Sequence, residues 1–165
     1  KEVIKRAKAF GMEAIAYDLY WDADFAAEYG VAQADSAAAV LAEADIVSLH
    51  MNLTPETRGF INSASIATMR DGALVINTAR GGLVDEQAIA EACRSGKLGG
   101  YGTDVVATEP MPTPHPFQEI DNILVTPHVG SRTLESVGRQ AMRATRNLVN
   151  YLNGDDDYIQ ANRFD

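Results

Sequence analysis

"VINTARGGLVDE", residues 75–86, decides how this chain is read. Val75 to Ala79 make an apolar run of strand type, yet the run delivers an arginine, Arg80, followed by Gly81 and Gly82. Asp85 then stands where a helix N-cap belongs, ahead of an apolar stripe of Ala88, Ile89, Ala92 and Cys93 that stops at Gly96. A buried strand therefore hands over to a helix through a charged, glycine-containing turn.

The same alternation runs outward in both directions. Val3, Ile4, Ala7 and Phe10 share a helical face that stops at Gly11, and residues 13–18 read as a strand ending on Asp18. Residues 35–44 read as a helix capped by Asp35, and 45–50 as another strand. Thr54 ahead of Pro55 predicts a short helical turn, residues 63–70 a short helix closed near Gly72, and 73–79, 99–106 and 122–127 three further strands. Between the last two lies "ATEPMPTPHPFQEID", residues 107–121, whose four prolines predict a long irregular loop. From Thr133 to Asn153 the apolar positions Leu134, Val137, Ala141, Met142, Leu148, Val149 and Leu152 keep a helical repeat for about 20 residues, or roughly 30 Å. Short apolar strands alternating with helices predict an α/β fold, a parallel sheet with helices on both faces.

Composition narrows the functions open to such a fold. The 165 residues, 46% of them hydrophobic, suffice for one domain with a substantial core. A formal charge of −9 with no Lys/Arg cluster excludes a nucleic-acid or anionic-membrane surface. No apolar run approaches the roughly 20 residues of a membrane span. The single cysteine, Cys93, makes no internal disulfide and fits a reducing, cytoplasmic setting. No His, Cys, Asp or Glu spacing suggests a metal site. The chain starts on Lys1 rather than Met, which reads as an excerpt from a longer protein.

In parallel sheets ligands bind outside the carboxyl ends of the strands, and the residues at those ends are Asp18, His50, Arg80, Asp104 and His128, with Glu109 just beyond. Asp18 stands where a dinucleotide fold keeps the acid that hydrogen-bonds the adenosine ribose; its charge would repel a 2′-phosphate and so favour NAD over NADP. The planar fork of Arg80 matches a carboxylate bidentately, and the two glycines let backbone approach a ligand closely. His128 is a proton-transfer group suited to neutral pH, and Glu109 could orient and stabilise its protonated form. Each residue taken alone has a plainer reading: a turn aspartate, a surface arginine, a packing histidine, an exposed loop carboxylate. His115 reads as packed or solvated, and Cys93 as core.

Taken together, "FGMEAIAYD", "DIVSLHMNLTPETRGFIN", "VINTARGGLVDE", "GTDVVATEP" and "ILVTPHVGSRT" resemble, in order and spacing, the D-isomer-specific 2-hydroxyacid dehydrogenases. The resemblance covers essentially the whole chain. It implies a Rossmann-type, doubly wound NAD-binding domain over residues 1–132, without its first strand and Gly-rich turn. Residues 133–165 would be a crossing helix and tail returning toward a substrate domain outside this chain. It carries the family's catalytic arginine to Arg80, its glutamate to Glu109 and its histidine to His128. Asp18 would bind the ribose and Asp104 the nicotinamide carboxamide, with Thr57, Thr78, Ala79 and Gly130 as further cofactor contacts. The implied activity is NAD-dependent interconversion of a small D-2-hydroxy acid and its 2-oxo acid by a homodimer. Asn52 replaces the family's usual proline and Thr103 a common leucine. Two other readings stand beside the enzyme: a dinucleotide-sensing, corepressor-like interaction protein, and an inactive fragment of the dehydrogenase. Glu109, where formate-specific relatives carry glutamine, weighs against formate as substrate.

Overall fold

Val75 has no solvent exposure because it lies in an interior strand of a four-stranded parallel sheet. The computed structural model describes residues 1–159, and the chain forms two compact units, Lys1–Pro127 and His128–Asp165. Residues 160–165 of the expected tail lie outside the described residues. In the first unit α1 (Glu2–Ala9), β1 (Ala14–Ala16), α2 (Ala23–Tyr29), β2 (Val31–Gln33), α3 (Ala37–Glu43) and β3 (Ile46–Leu49) come first. They are followed by α4 (Ser63–Thr68), β4 (Ala73–Asn77), α5 (Glu86–Ser95), β5 (Leu98–Thr103) and β6 (Ile123–Val125).

All the strand pairs are parallel, in two sheets of order β1-β2 and β3-β4-β5-β6. In a doubly wound sheet of order 3-2-1-4-5-6 the first strand separates the two halves. A pair β1-β2 beside a run β3-β4-β5-β6 matches the two sides of such a sheet. The alternating side-chain period then sorts the residues. Val47, Leu49, Val75, Asn77 and Tyr101 face the core with α4 and α5, whereas Ile46, Leu74 and Leu124 on the other face are exposed. No described helix is long and apolar enough to cross a membrane.

The helix after the opening turn forms as its sequence requires. Asp85 Oδ1 accepts the N–H groups of Gln87 and Ala88 at 3.0 and 3.1 Å, a cap of about 1 kcal/mol. Gly96, at φ 79°, closes the helix in the left-handed region that a side chain would oppose. The buried stripe between them includes Ile89, with no exposure, a side chain whose burial contributes about 1.5–3 kcal/mol.

One local reading changes: Ser36, not Asp35, caps α3, its Oγ accepting the Ala39 N–H at 3.1 Å, because the helical backbone begins at Ala37. The short helical turn expected at Thr54 forms: Arg58 N–H reaches the Thr54 carbonyl at 3.0 Å, and the next amide, Gly59, donates to Gly82 at 2.9 Å. A backbone contact from another segment thus ends the turn. The α2–β2 pair is a finding of the structure, although Asp22, whose Oδ1 accepts the Phe25 N–H at 2.9 Å, and the left-handed Gly30 were visible boundary signals. In the second unit α6 (Leu134–Asn153) begins at the Thr133 cap, with no buried residue.

Candidate active site

β4 ends on Asn77, whose side chain has no exposure and organises the turn beyond it. Its Oδ1 accepts the Ala79 N–H at 3.1 Å, and its Nδ2 donates to the Arg80 carbonyl at 3.0 Å and to Tyr101 Oη at 3.3 Å. Burial pushes the Tyr101 phenol pKa above its usual value, so the hydroxyl stays neutral beside the amide. Thr78 and Arg80 are exposed and Ala79 is half-buried. The Arg80 guanidinium donates back to the Ala79 carbonyl at 2.6 Å, which lays its fork across the strand exit.

Gly81 then begins a single 3-10 turn, Gly81–Leu83. A Cβ on Gly81 would overlap the Val106 carbonyl and the Ala107 nitrogen, so only glycine admits this approach of two backbones. The Val106 N–H donates to Glu109 Oε1 at 3.3 Å. The turn carrying Arg80 and the loop carrying Glu109 are therefore packed against each other, peptide to peptide. The loop after β3 joins them: Ile61 N–H donates to Leu83 and Asp85 N–H to Ile61, at 3.0 and 2.8 Å.

Asp104 is buried just past β5, and Thr126, just past β6, donates its hydroxyl to Asp104 Oδ1 at 2.6 Å. Thr103, the departure from the family pattern, accepts the Val105 N–H at 3.1 Å and brings its hydroxyl within 3.0 Å of the Asn77 carbonyl. The threonine thus ties the ends of β4 and β5 where a leucine would offer no polar contact. Asp18 follows β1, exposed, with Oδ1 accepting the Tyr20 N–H at 2.8 Å. Thr57 donates to the Asn52 carbonyl at 2.7 Å, so Asn52 serves the turn through its backbone. His50 Nε2 lies 2.9 Å from Ser48 Oγ, and partial desolvation lowers its pKa.

The first unit brings Arg80, Ala79, Thr78, Asp104 and Glu109 to the carboxyl ends of two neighbouring strands, β4 and β5. His128 opens the second unit, in left-handed backbone at φ 53°, with Gly130 two residues on. Reading the sequence missed Asn77, Thr126 and Glu86: Thr126 and Glu86 find partners 21 or more positions away, and Asn77 joins its near neighbours Ala79 and Arg80 to the distant Tyr101. His115 proves to be packed, with little exposure.

The family model for the D-isomer specific 2-hydroxyacid dehydrogenase NAD-binding domain matches residues 1–130. The D-3-phosphoglycerate dehydrogenase of Methanocaldococcus jannaschii is 43% identical over 136 residues, 82% of this chain and 26% of that protein. The hydroxypyruvate reductase of Thermotoga maritima is 41% identical over 156 residues, 92% of this chain and 49% of that protein. Among solved structures, the NAD-complexed D-isomer specific 2-hydroxyacid dehydrogenase of Lactobacillus delbrueckii superposes with a TM-score of 0.86 at 29% identity, covering 98% of this chain and 52% of that one. The chain thus spans between a quarter and a half of the relatives it matches. Strand order, the arginine turn and the family match agree: this chain belongs to the D-isomer specific 2-hydroxyacid dehydrogenases and carries their NAD-binding domain.

Proposed function

We propose that the protein bearing this chain interconverts a small D-2-hydroxy acid and its 2-oxo acid. The observation that carries the reading is the packing of the Arg80 turn on the Glu109 loop through Gly81 and the Val106–Ala107 peptide. It gathers a carboxylate-binding fork and an acid–base carboxylate at the exits of β4 and β5.

NAD fits the residues present. Asp18, exposed at a strand exit and oriented by the Tyr20 N–H, offers a carboxylate to ribose hydroxyls; Asp104, steadied by Thr126, offers one to a carboxamide. Thr57, Thr78, Ala79 and Gly130 would complete the cofactor contacts. Bound NAD supplies the hydride for reduction and accepts it in oxidation. Arg80 holds the substrate carboxylate in its fork and polarises the reacting carbonyl. His128 gives its proton to the oxygen that becomes the hydroxyl and takes it back in oxidation, and Glu109 favours the protonated imidazole.

The family resemblance supports reading residues 133–165 as a crossing helix and tail that would return toward a substrate domain, and it supports a homodimer. Cys93, buried and free, supports a reducing, cytoplasmic setting.

The test is NADH oxidation by the protein that carries this chain, with glyoxylate, hydroxypyruvate and related 2-oxo acids. Turnover is expected. Tight NADH binding with no turnover of any 2-oxo acid would overturn the reading in favour of a dinucleotide sensor.

A further inference from the structure

Two side chains that the chemistry above leaves unused flank the Glu109 loop. Glu86 is the first residue of α5 and His115 lies in the proline-rich loop, their side chains 17% and 3% exposed. Glu86 Oε1 accepts the Ala107 N–H at 2.8 Å, and Glu86 Oε2 stands 3.3 Å from His115 Nε2. Because His115 Nδ1 accepts the Phe117 N–H at 3.3 Å, the ring proton sits on Nε2 and faces the carboxylate. The two groups stand at ion-pair distance, and His115 Nε2, buried, makes no other hydrogen bond, so the carboxylate is the one acceptor it faces. The imidazole itself is held: it packs edge-on against Phe117 at 4.7 Å, and Phe117 against Tyr101 at 5.4 Å.

These contacts converge on two successive peptides, Val105–Val106 and Val106–Ala107. Ala107 donates to Glu86, Val106 donates to Glu109, and Gly81, the residue after Arg80, lies against the bond between them. Any shift of Glu86 is therefore transmitted to the anchor of Glu109 and to the turn carrying Arg80. A carboxylate suits the place because it has one acceptor oxygen for each donor, whereas an amide has one oxygen for both. The first turn of α5 also favours its negative charge.

We propose that Glu86, braced by His115, is a positioning residue: it fixes the Val106–Ala107 peptide, and through it the bearing of Glu109 and Arg80, without touching substrate or cofactor. The kinetic half of this inference rests on the dehydrogenase reading; the structural half does not.

The experiment compares wild type with Glu86→Gln and Glu86→Ala. In the 165-residue chain, amide hydrogen exchange at Val106 and Ala107 is expected to rise about tenfold or more in Glu86→Gln, while Ile89 in the α5 core stays protected. In the protein that carries the chain, kcat for 2-oxo acid reduction is expected to fall about tenfold or more, with the KM for NADH near wild type, since misplacement of a site by even 1 Å is costly. A lowered urea midpoint with unchanged kcat would mean a merely structural contact and overturns the proposal, as does unchanged exchange at Ala107. If Glu86→Ala fails to fold, Glu86→Gln, which keeps one acceptor, decides. If wild type turns over no 2-oxo acid, the dehydrogenase reading fails, and the exchange measurement alone supports or overturns the positioning role.

Discussion

The Asn77 side-chain amide donates to the Arg80 carbonyl at 3.0 Å from a position with no solvent exposure. Asn77→Leu keeps the volume roughly but leaves the Arg80 carbonyl and the Ala79 N–H without this partner. The buried Tyr101 hydroxyl loses its amide donor as well, and a buried polar group so stranded costs about 1–3 kcal/mol, so a lower urea midpoint is expected together with a lower kcat/KM. An unchanged midpoint would show that the amide does not hold the turn.

Gly81→Ala sets a methyl group against the Val106 carbonyl, which is backbone and has little room to give. Overpacking of this kind costs about 1–3 kcal/mol or more, and the relief available is separation of the Arg80 and Glu109 loops. Reduced thermal stability and loss of turnover are expected together, with NADH binding, measured by fluorescence, much less affected.

Arg80→Lys retains the charge but not the fork. A loss of about tenfold to a hundredfold in kcat/KM for 2-oxo acids is expected, because one ammonium cannot reproduce two parallel hydrogen bonds to a carboxylate. Wild-type kinetics in this variant would remove Arg80 from the site.

If His128 moves the proton, reduction requires its protonated form and oxidation its neutral form. The rate of reduction should therefore fall as pH rises, and that of oxidation as pH falls. Initial rates in both directions across one pH series check this; identical profiles would exclude the assignment.

Burial raises the Cys93 thiol pKa from 9.0 to about 11, on a side chain buried along α5. The folded chain should resist iodoacetamide at pH 8 and react once unfolded in urea. The sign of the linked effect follows: the folded state holds the proton longer, so this contribution to stability is full below pH 9 and is lost as pH rises from there toward about 11. Urea titrations at pH 8 and pH 10.5 measure it.

Much of the molecule was legible in the chain. The Asp85 cap, the stripe through Ile89 and the Gly96 stop are local signals, set by residues within a few positions of each other, and α5 forms where they predict. The strand exits that place Arg80, Asp104 and Glu109 follow from the same periodicity. The Thr54 turn was legible from Thr54 ahead of Pro55, but its end was not, because the Gly59 amide goes to Gly82 and no pattern within residues 54–59 reveals that partner.

The sequence by itself determined the alternation of strands and helices apart from the α2–β2 pair, and with it that the ionisable residues would lie at the carboxyl ends of a parallel sheet. Side-chain period and capping chemistry are properties of neighbouring residues. Only the tertiary structure decided that Gly81 lies on the Val106–Ala107 peptide, that Asn77 holds the Arg80 carbonyl, and that Glu86 reaches both that peptide and His115. Those relationships join residues 3 to 29 positions apart in the chain through backbone packing and polar contacts. Hydrogen-bonding capacity is written in each residue type, but the partner is chosen when the strands pack.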